Sequence, residues 1–271
     1  MKKNIIFILF ICFLAIIFIF IRPEELSNEQ FSSIEKRAIT SAQRGGSWLI
    51  DYDKEFLDPG ILWVIKILND KYCKSSFLDD FWRIRFEEFE NHPVESAYQR
   101  LFNNEIVYEI DYNLLETRQI YFDDLIIPAL YCDLQTIPDN TLLKIFDIEN
   151  TSGYDLTHRY LAILLLKNRG CFIKEKYNID NSILQASQKI REEENKATFD
   201  DLYSERVAFL LYGGFREMIE DNWIEIIIEN QKQSGGWSTL KYSEYLGQEE
   251  NPHTTALSVW ALAEYVQECP F

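Results

Sequence analysis

An all-α body behind one N-terminal apolar span is the fold the sequence predicts. Three observations carry it. Apolar residues recur at three-to-four spacing along most of the 271 residues. Period-two alternation is confined to a short stretch around Ile106 to Ile110, and no Asn-Gly hairpin turn occurs. Gln43-Arg-Gly-Gly-Ser-Trp48 and Gln233-Ser-Gly-Gly-Trp237 share the pattern Gln-x-Gly-Gly-(x)-Trp, the mark of a helical hairpin that recurs in a stacked or closed array.

Taken in order, Ile5 to Ile21 is unbroken apolar sequence. A helix of that length rises roughly 25 Å, and flanking Asn4 and Arg22 extend it by reaching for the interface. Lys2 and Lys3 precede it, which places the N-terminus in the cytoplasm and the body on the extracytoplasmic side. No small-x-small cleavage site follows, so residues 1–24 read as a signal anchor with a short linker, and a cleaved signal peptide as the alternative. Residues 25–271 form the body.

Glu29 to Ala42 reads as an amphipathic helix through Phe31, Ile34, Ala38 and Ile39, ending in a glycine-punctuated turn at Gln43 to Trp48. Asp58-Pro59 starts the next helix, a cap followed by proline at the first helical position. Further helices are predicted over Phe77–Phe89, Val94–Phe102, Asn113–Cys132 with a break near Phe122–Pro128, and Asn140–Phe146. Asp155–Asn168, Ile179–Glu194, Phe199–Tyr212 and Trp223–Ile228 follow. The last helix begins at His253-Thr-Thr and is apolar nearly all round, which belongs inside an assembly of helices. Weaker echoes of the glycine–aromatic pattern lie at Ser152–Asp155 and Tyr212–Phe215.

The net charge of −17 argues against nucleic acid as a partner and against polybasic attachment to anionic lipid. Cys73, Cys132, Cys171 and Cys269 are widely spaced, and no Cys-x-x-Cys pair offers a zinc ribbon or a thioredoxin-type site. They suit either buried thiols or two disulfides, with three pairings open.

Gln231-x-x-x-Gly-Gly-Trp237 followed by His253-Thr-Thr-Ala-Leu-x-x-Trp-Ala-Leu262 resembles the repeats of the terpenoid cyclase and protein prenyltransferase β-subunit superfamily, with squalene–hopene cyclase as the best-known member. The resemblance implies an (α/α) toroid of about six helical hairpins, inner and outer helices closing a ring around a central cavity. It carries no catalytic residues across. Asp79-Asp80, Asp123-Asp124, Asp200-Asp201 and Asp51-x-Asp53 do not complete the Asp-x-Asp-Asp or Asp-Asp-x-x-Asp patterns, and no Asp-x-Cys occurs.

Candidate chemistry therefore rests on isolated polar residues at the starts of apolar helices. His158 and His253 sit in comparable places, Asp155 precedes His158 by three residues, and Asp58 occupies another helix start. Glu205 interrupts the apolar run of its helix. Asp58, Asp155, His158, Glu205 and His253 form a conceivable polar ring for acid–base work or a metal. Set against it, the two aspartates suit helix caps and Glu205 a structural ion pair. Tyr52, Trp63, Tyr98, Tyr154 and Trp260 suit an apolar cavity wall or core packing. A carboxylate pair for glycan cleavage has too many candidates, and His158 and Cys171, thirteen residues apart, are not neighbours on one helix. Three functions stay open: a membrane-anchored module that binds an apolar small molecule or peptide in a central cavity, an enzyme built on the polar ring, and a structural partner-binding protein.

Overall fold

The computed structural model describes residues 31–52, 58–76, 95–117, 122–171, 173, 177–195, 197–238 and 250–271. The predicted anchor at Ile5–Ile21 and the helix expected at Phe77–Phe89 lie outside these residues. Among the described residues there are ten α-helices and no strand: α1 (Ser33–Asp51), α2 (Pro59–Leu68), α3 (Tyr112–Thr117), α4 (Asp123–Leu130) and α5 (Asp139–Phe146), then α6 (Gly153–Asn168), α7 (Ile179–Glu194), α8 (Asp201–Tyr212), α9 (Asp221–Glu229) and α10 (Pro252–Val266). None of these is long and apolar enough to cross a membrane. A five-residue π-helical turn, Asn69–Cys73, continues α2, and a 3-10 helix spans Glu95–Leu101.

Caps set the helix starts. Asp58 accepts from the Ile61 N–H at 2.9 Å with Pro59 next to it, and Asp200 accepts from the Tyr203 N–H at 2.8 Å. Asn251 accepts from the N–H groups of His253 and Thr254, again just before a proline. Each cap satisfies donors that a helix start leaves without an internal partner.

Side-chain contacts give the helix directions. Tyr154 meets Asp201 near the starts of α6 and α8, and Asn168 meets Tyr212 at their ends, so the two run parallel. His253 meets Asp201, Ser258 meets Ser204 and Trp260 meets Tyr212, which aligns α10 with α8. Trp63 meets Trp260, and Lys71 and Tyr72 meet Glu264, which aligns α2 with α10. Phe122 stacks on His158 and Cys132 bonds Cys171, which aligns α4 with α6. Five helices thus run the same way in the spatial order α4, α6, α8, α10, α2, and the 3-10 helix Glu95–Leu101 touches both α2 and α4. A second tier covers them. α7 lies antiparallel on α6, with Gly153 against Glu193 at one end and Lys167 against Asp180 at the other. α1 lies on α10 and α9 on α1. Helix α10 is buried from Thr254 to Val266, as its apolar sequence requires.

The turn expected at Gln43–Trp48 is not there. Those residues lie inside α1, and Ala38, Ala42, Gly45 and Leu49 continue one buried stripe. Gly45 faces Trp237 and Val259, where an added Cβ would come within 2.5 Å of each. The Gln231–Trp237 segment is a true turn, with Gly235 at φ +111°. The two segments meet. Arg44 Nη2 donates to the carbonyls of Lys232 and Gln233, and Gln231 Nε2 donates to those of Ser41 and Gly235. Trp237 is buried and donates from Nε1 to the Ile227 carbonyl at 2.7 Å. Both segments are scaffold.

All four body cysteines are paired, Cys73 with Cys269 and Cys132 with Cys171, one of the three pairings open to the sequence.

Candidate functional site

Because the five helices run parallel, their N-terminal ends gather at one end of the molecule. Each end carries partial positive charge, which favours anionic side chains there. Asp201, in the first turn of α8, is the centre of the cluster that results. Its carboxylate accepts from His253 Nδ1 (3.0 Å to Oδ1, 3.1 Å to Oδ2), from Thr254 Oγ1 at 2.7 Å and from the Tyr154 hydroxyl at 3.1 Å. Burial pushes its pKa up, but the His253 charge and the hydrogen bonds outweigh burial and hold it below the usual aspartate value. The same pairing acts on His253. Burial disfavours its charge, yet Asp201, with Asp58 and Glu205 adding to it, raises the pKa to about 10. His253 is therefore an imidazolium at neutral pH, with its side chain 41 % exposed.

Glu205, one turn after Asp201, is only 1 % exposed. Burial raises its pKa, offset in part by His158 and by the hydrogen bond it accepts from Thr157 Oγ1. This favours the protonated carboxyl. His158 Nδ1 lies 2.8 Å from the Tyr154 carbonyl and 3.5 Å from Glu205 Oε1. A carbonyl only accepts, so Nδ1 carries the proton. The ring stacks on Phe122 at 4.1 Å and meets the edge of Phe209.

Of the five predicted site residues, His158, Glu205 and His253 are brought together. Asp58 caps α2 and reaches the cluster only through its field on His253. Asp155 pairs with Arg159 at 3.1 Å on the flank of α6 and does not join. Sequence reasoning passed over Asp201, Tyr154, Thr157 and Thr254 as members. Asp201 precedes Glu205 by one helical turn, and that spacing on a buried helix was the available signal.

Donor atoms of Asp201, Glu205 and His253 lie within 4.8 Å of one another, and two carboxylates with an imidazole are a set that divalent cations accept. A cation there would compete with protons. A metal would have to displace the His253 proton, which Asp201 holds, and ionise a buried Glu205.

Behind the cluster the space between the parallel helices is filled by rings. Phe209 meets Trp260, and Trp260 meets both Trp63 and Tyr212 edge-on, with centroids 5.2–5.6 Å apart. Beyond them, toward the C-terminal ends of α6 and α8, an open cavity of about 400 Å³ lies between Trp63, Leu165 and Tyr212 and a mostly polar remainder of the wall that includes Asn104, Asp133 and Asn168. Of the aromatics predicted to line a cavity, Trp63 does so. Trp260 packs behind it, Tyr154 belongs to the Asp201 cluster, Tyr52 stacks on Trp48 and Tyr98 bonds Asp123.

Comparison with protein-family models, with curated proteins and with solved structures gives no significant match to this chain.

Proposed function

We propose that this chain is a membrane-anchored (α/α) toroid that binds a small ligand with an apolar body in the cavity beyond Trp63 and Tyr212. The observation that carries the reading is that cavity. Its volume of about 400 Å³ is within the range of small-molecule sites, and two aromatic side chains form part of its wall. The toroid is supported by the alternation of tiers. Helices α2, α4, α6, α8 and α10 lie side by side, the described helices α5 and α7 pack on them from outside and α1 and α9 form a further layer on α10, and Glu95–Leu101 touches both α4 and α2. The anchor is supported by the apolar run Ile5–Ile21, and an extracytoplasmic body by the two disulfides, which persist in oxidising compartments.

A second reading, an acid catalyst at the helix N-termini, is favoured by one observation: His253 keeps its proton at neutral pH while part of its side chain faces solvent.

The binding reading is tested by native mass spectrometry on the full chain purified in a neutral detergent. The expected result is a small organic molecule retained by the wild type and lost in Leu165→Trp, whose added volume fills the cavity. A wild-type preparation that carries nothing, and whose melting temperature responds to no member of an apolar ligand panel, overturns the reading.

A further inference from the structure

The cavity is also where the chain leaves positive charge uncompensated. Arg100, on the 3-10 helix Glu95–Leu101, is 2 % exposed, with its guanidinium over the Tyr131 ring at 4.8 Å. Its Nη2 donates to Asp133 Oδ2 at 2.6 Å, while Nε and Nη1 have no hydrogen-bond partner. Arg169 follows α6 directly. It donates from Nη2 to the Arg100 carbonyl at 3.0 Å, and its Nε has no partner either. Both arginines line the cavity, together with Asp133. Burial, and then the neighbouring Arg100 charge, push the Arg169 pKa below its ordinary value.

Of the two guanidiniums only Arg100 pairs with a carboxylate among the described residues, Asp133, and that carboxylate is 35 % exposed. In a chain of net charge −17, Asp133 is the only carboxylate among the described residues that line this cavity. Buried donors are nearly always paired, and here three guanidinium nitrogens without a partner, Arg100 Nε and Nη1 and Arg169 Nε, belong to two side chains that line one cavity. The charge balance, two cations less Asp133, leaves one positive charge, which a monoanion neutralises. Trp63, Leu165 and Tyr212 offer the same ligand apolar surface.

We propose that the cavity takes a small carboxylate with an apolar body, its carboxylate received by Arg100 and Arg169 and its body laid against Trp63, Leu165 and Tyr212. This rests on the reading that the cavity is the ligand site and adds the chemical class of the ligand.

The test compares 2-naphthoate with its neutral twin 2-naphthamide, by calorimetric titration of the full-length, disulfide-intact protein in a neutral detergent. The acid should bind about tenfold tighter or better, the effect expected of a charge-assisted pair. Arg169→Gln should lose that preference without lowering the melting temperature of the free protein, because one of two like charges has gone. Asp133→Asn, which frees Arg100 Nη2 and adds net positive charge, should tighten the acid and leave the amide unchanged. Equal affinity for acid and amide, or weaker acid binding by Asp133→Asn, overturns the carboxylate assignment while leaving the cavity a ligand site. Failure of both compounds, and of benzoate and decanoate with their amides, overturns the ligand site and the assignment together.

Discussion

At the scale of single residues, the His253–Asp201 pair is the part of the candidate site with a sharp consequence in pH. The His253 pKa rises from an ordinary value of 6.5 to about 10 on folding. A raised value means that the folded protein holds the proton more tightly than the unfolded chain. Its stabilisation is complete below about pH 6.5 and is lost as pH climbs toward 10. Asp201 is shifted the opposite way, so its share is present above the ordinary aspartate value and is lost only in acid. The wild-type melting temperature should therefore fall between pH 6.5 and 10, and His253→Gln should flatten that fall. A direct readout is the imidazole proton resonance of His253, which should titrate near 10 in the wild type and well lower in Asp201→Asn. A His253 resonance that titrates near 6.5 in the wild type would remove both the ion pair and the acid-catalyst reading.

At the scale of elements, glycine marks two different things in one repeated pattern. In Gln231–Trp237 it allows a backbone turn, with Gly235 at φ +111°. In α1 it allows close approach, since Gly45 leaves room for Trp237 and Val259. Ordinarily Gly→Ala inside a helix stabilises by roughly 0.5–1 kcal/mol. Gly45→Ala should do the reverse, by about 1–3 kcal/mol in chemical denaturation, because overpacking exceeds the propensity gain. Val259→Ala should rescue part of that loss when combined with it, and a stabilised Gly45→Ala would show that α1 and α10 pack more loosely. The distinction is legible in the spacing of the apolar residues. Ile34, Ala38, Ala42, Gly45 and Leu49 keep helical spacing straight through the glycines, whereas the punctuation rule treats Gly-Gly as a stop. The helix start at Asp58 is readable because capping is local chemistry, whereas the caps Asp200 and Asn251 lie one and two residues from the predicted starts Phe199 and His253. His158, Glu205 and His253 stood out because lone polar residues on apolar helices need partners. Asp201 did not, since beside the cap Asp200 it looks like one more first-turn acid, and only the third dimension brings Thr254 and Tyr154 to it. Arg100 and Arg169 were invisible for the same reason: they lie 69 residues apart in the chain.

At the scale of the whole molecule, the chain returns to where its body begins. The last helix, α10, packs between α1 and the parallel helix α2, and Cys269 bonds Cys73 at the end of the π-helical turn that extends α2, with Cα atoms 4.8 Å apart. That bond spans 196 residues of sequence, whereas Cys132–Cys171 spans 39 and joins the neighbours α4 and α6. In the chain-entropy account, a cross-link restricts the unfolded ensemble more as its loop lengthens, which gives about 5 kcal/mol for the long bond and about 4 kcal/mol for the short one. The long bond also ties the tail after α10 to the far end of α2, so its removal loosens the contact between the first and last of the five parallel helices. Replacing both Cys73 and Cys269 by serine should lower the denaturation midpoint more than replacing Cys132 and Cys171. Unfolding should then begin at the α2–α10 contact, seen as early hydrogen exchange in α2 and α10. If the short bond matters more, or if α6 and α8 open first in the Cys73/Cys269 variant, the α2–α10 junction is not the contact that the long bond secures.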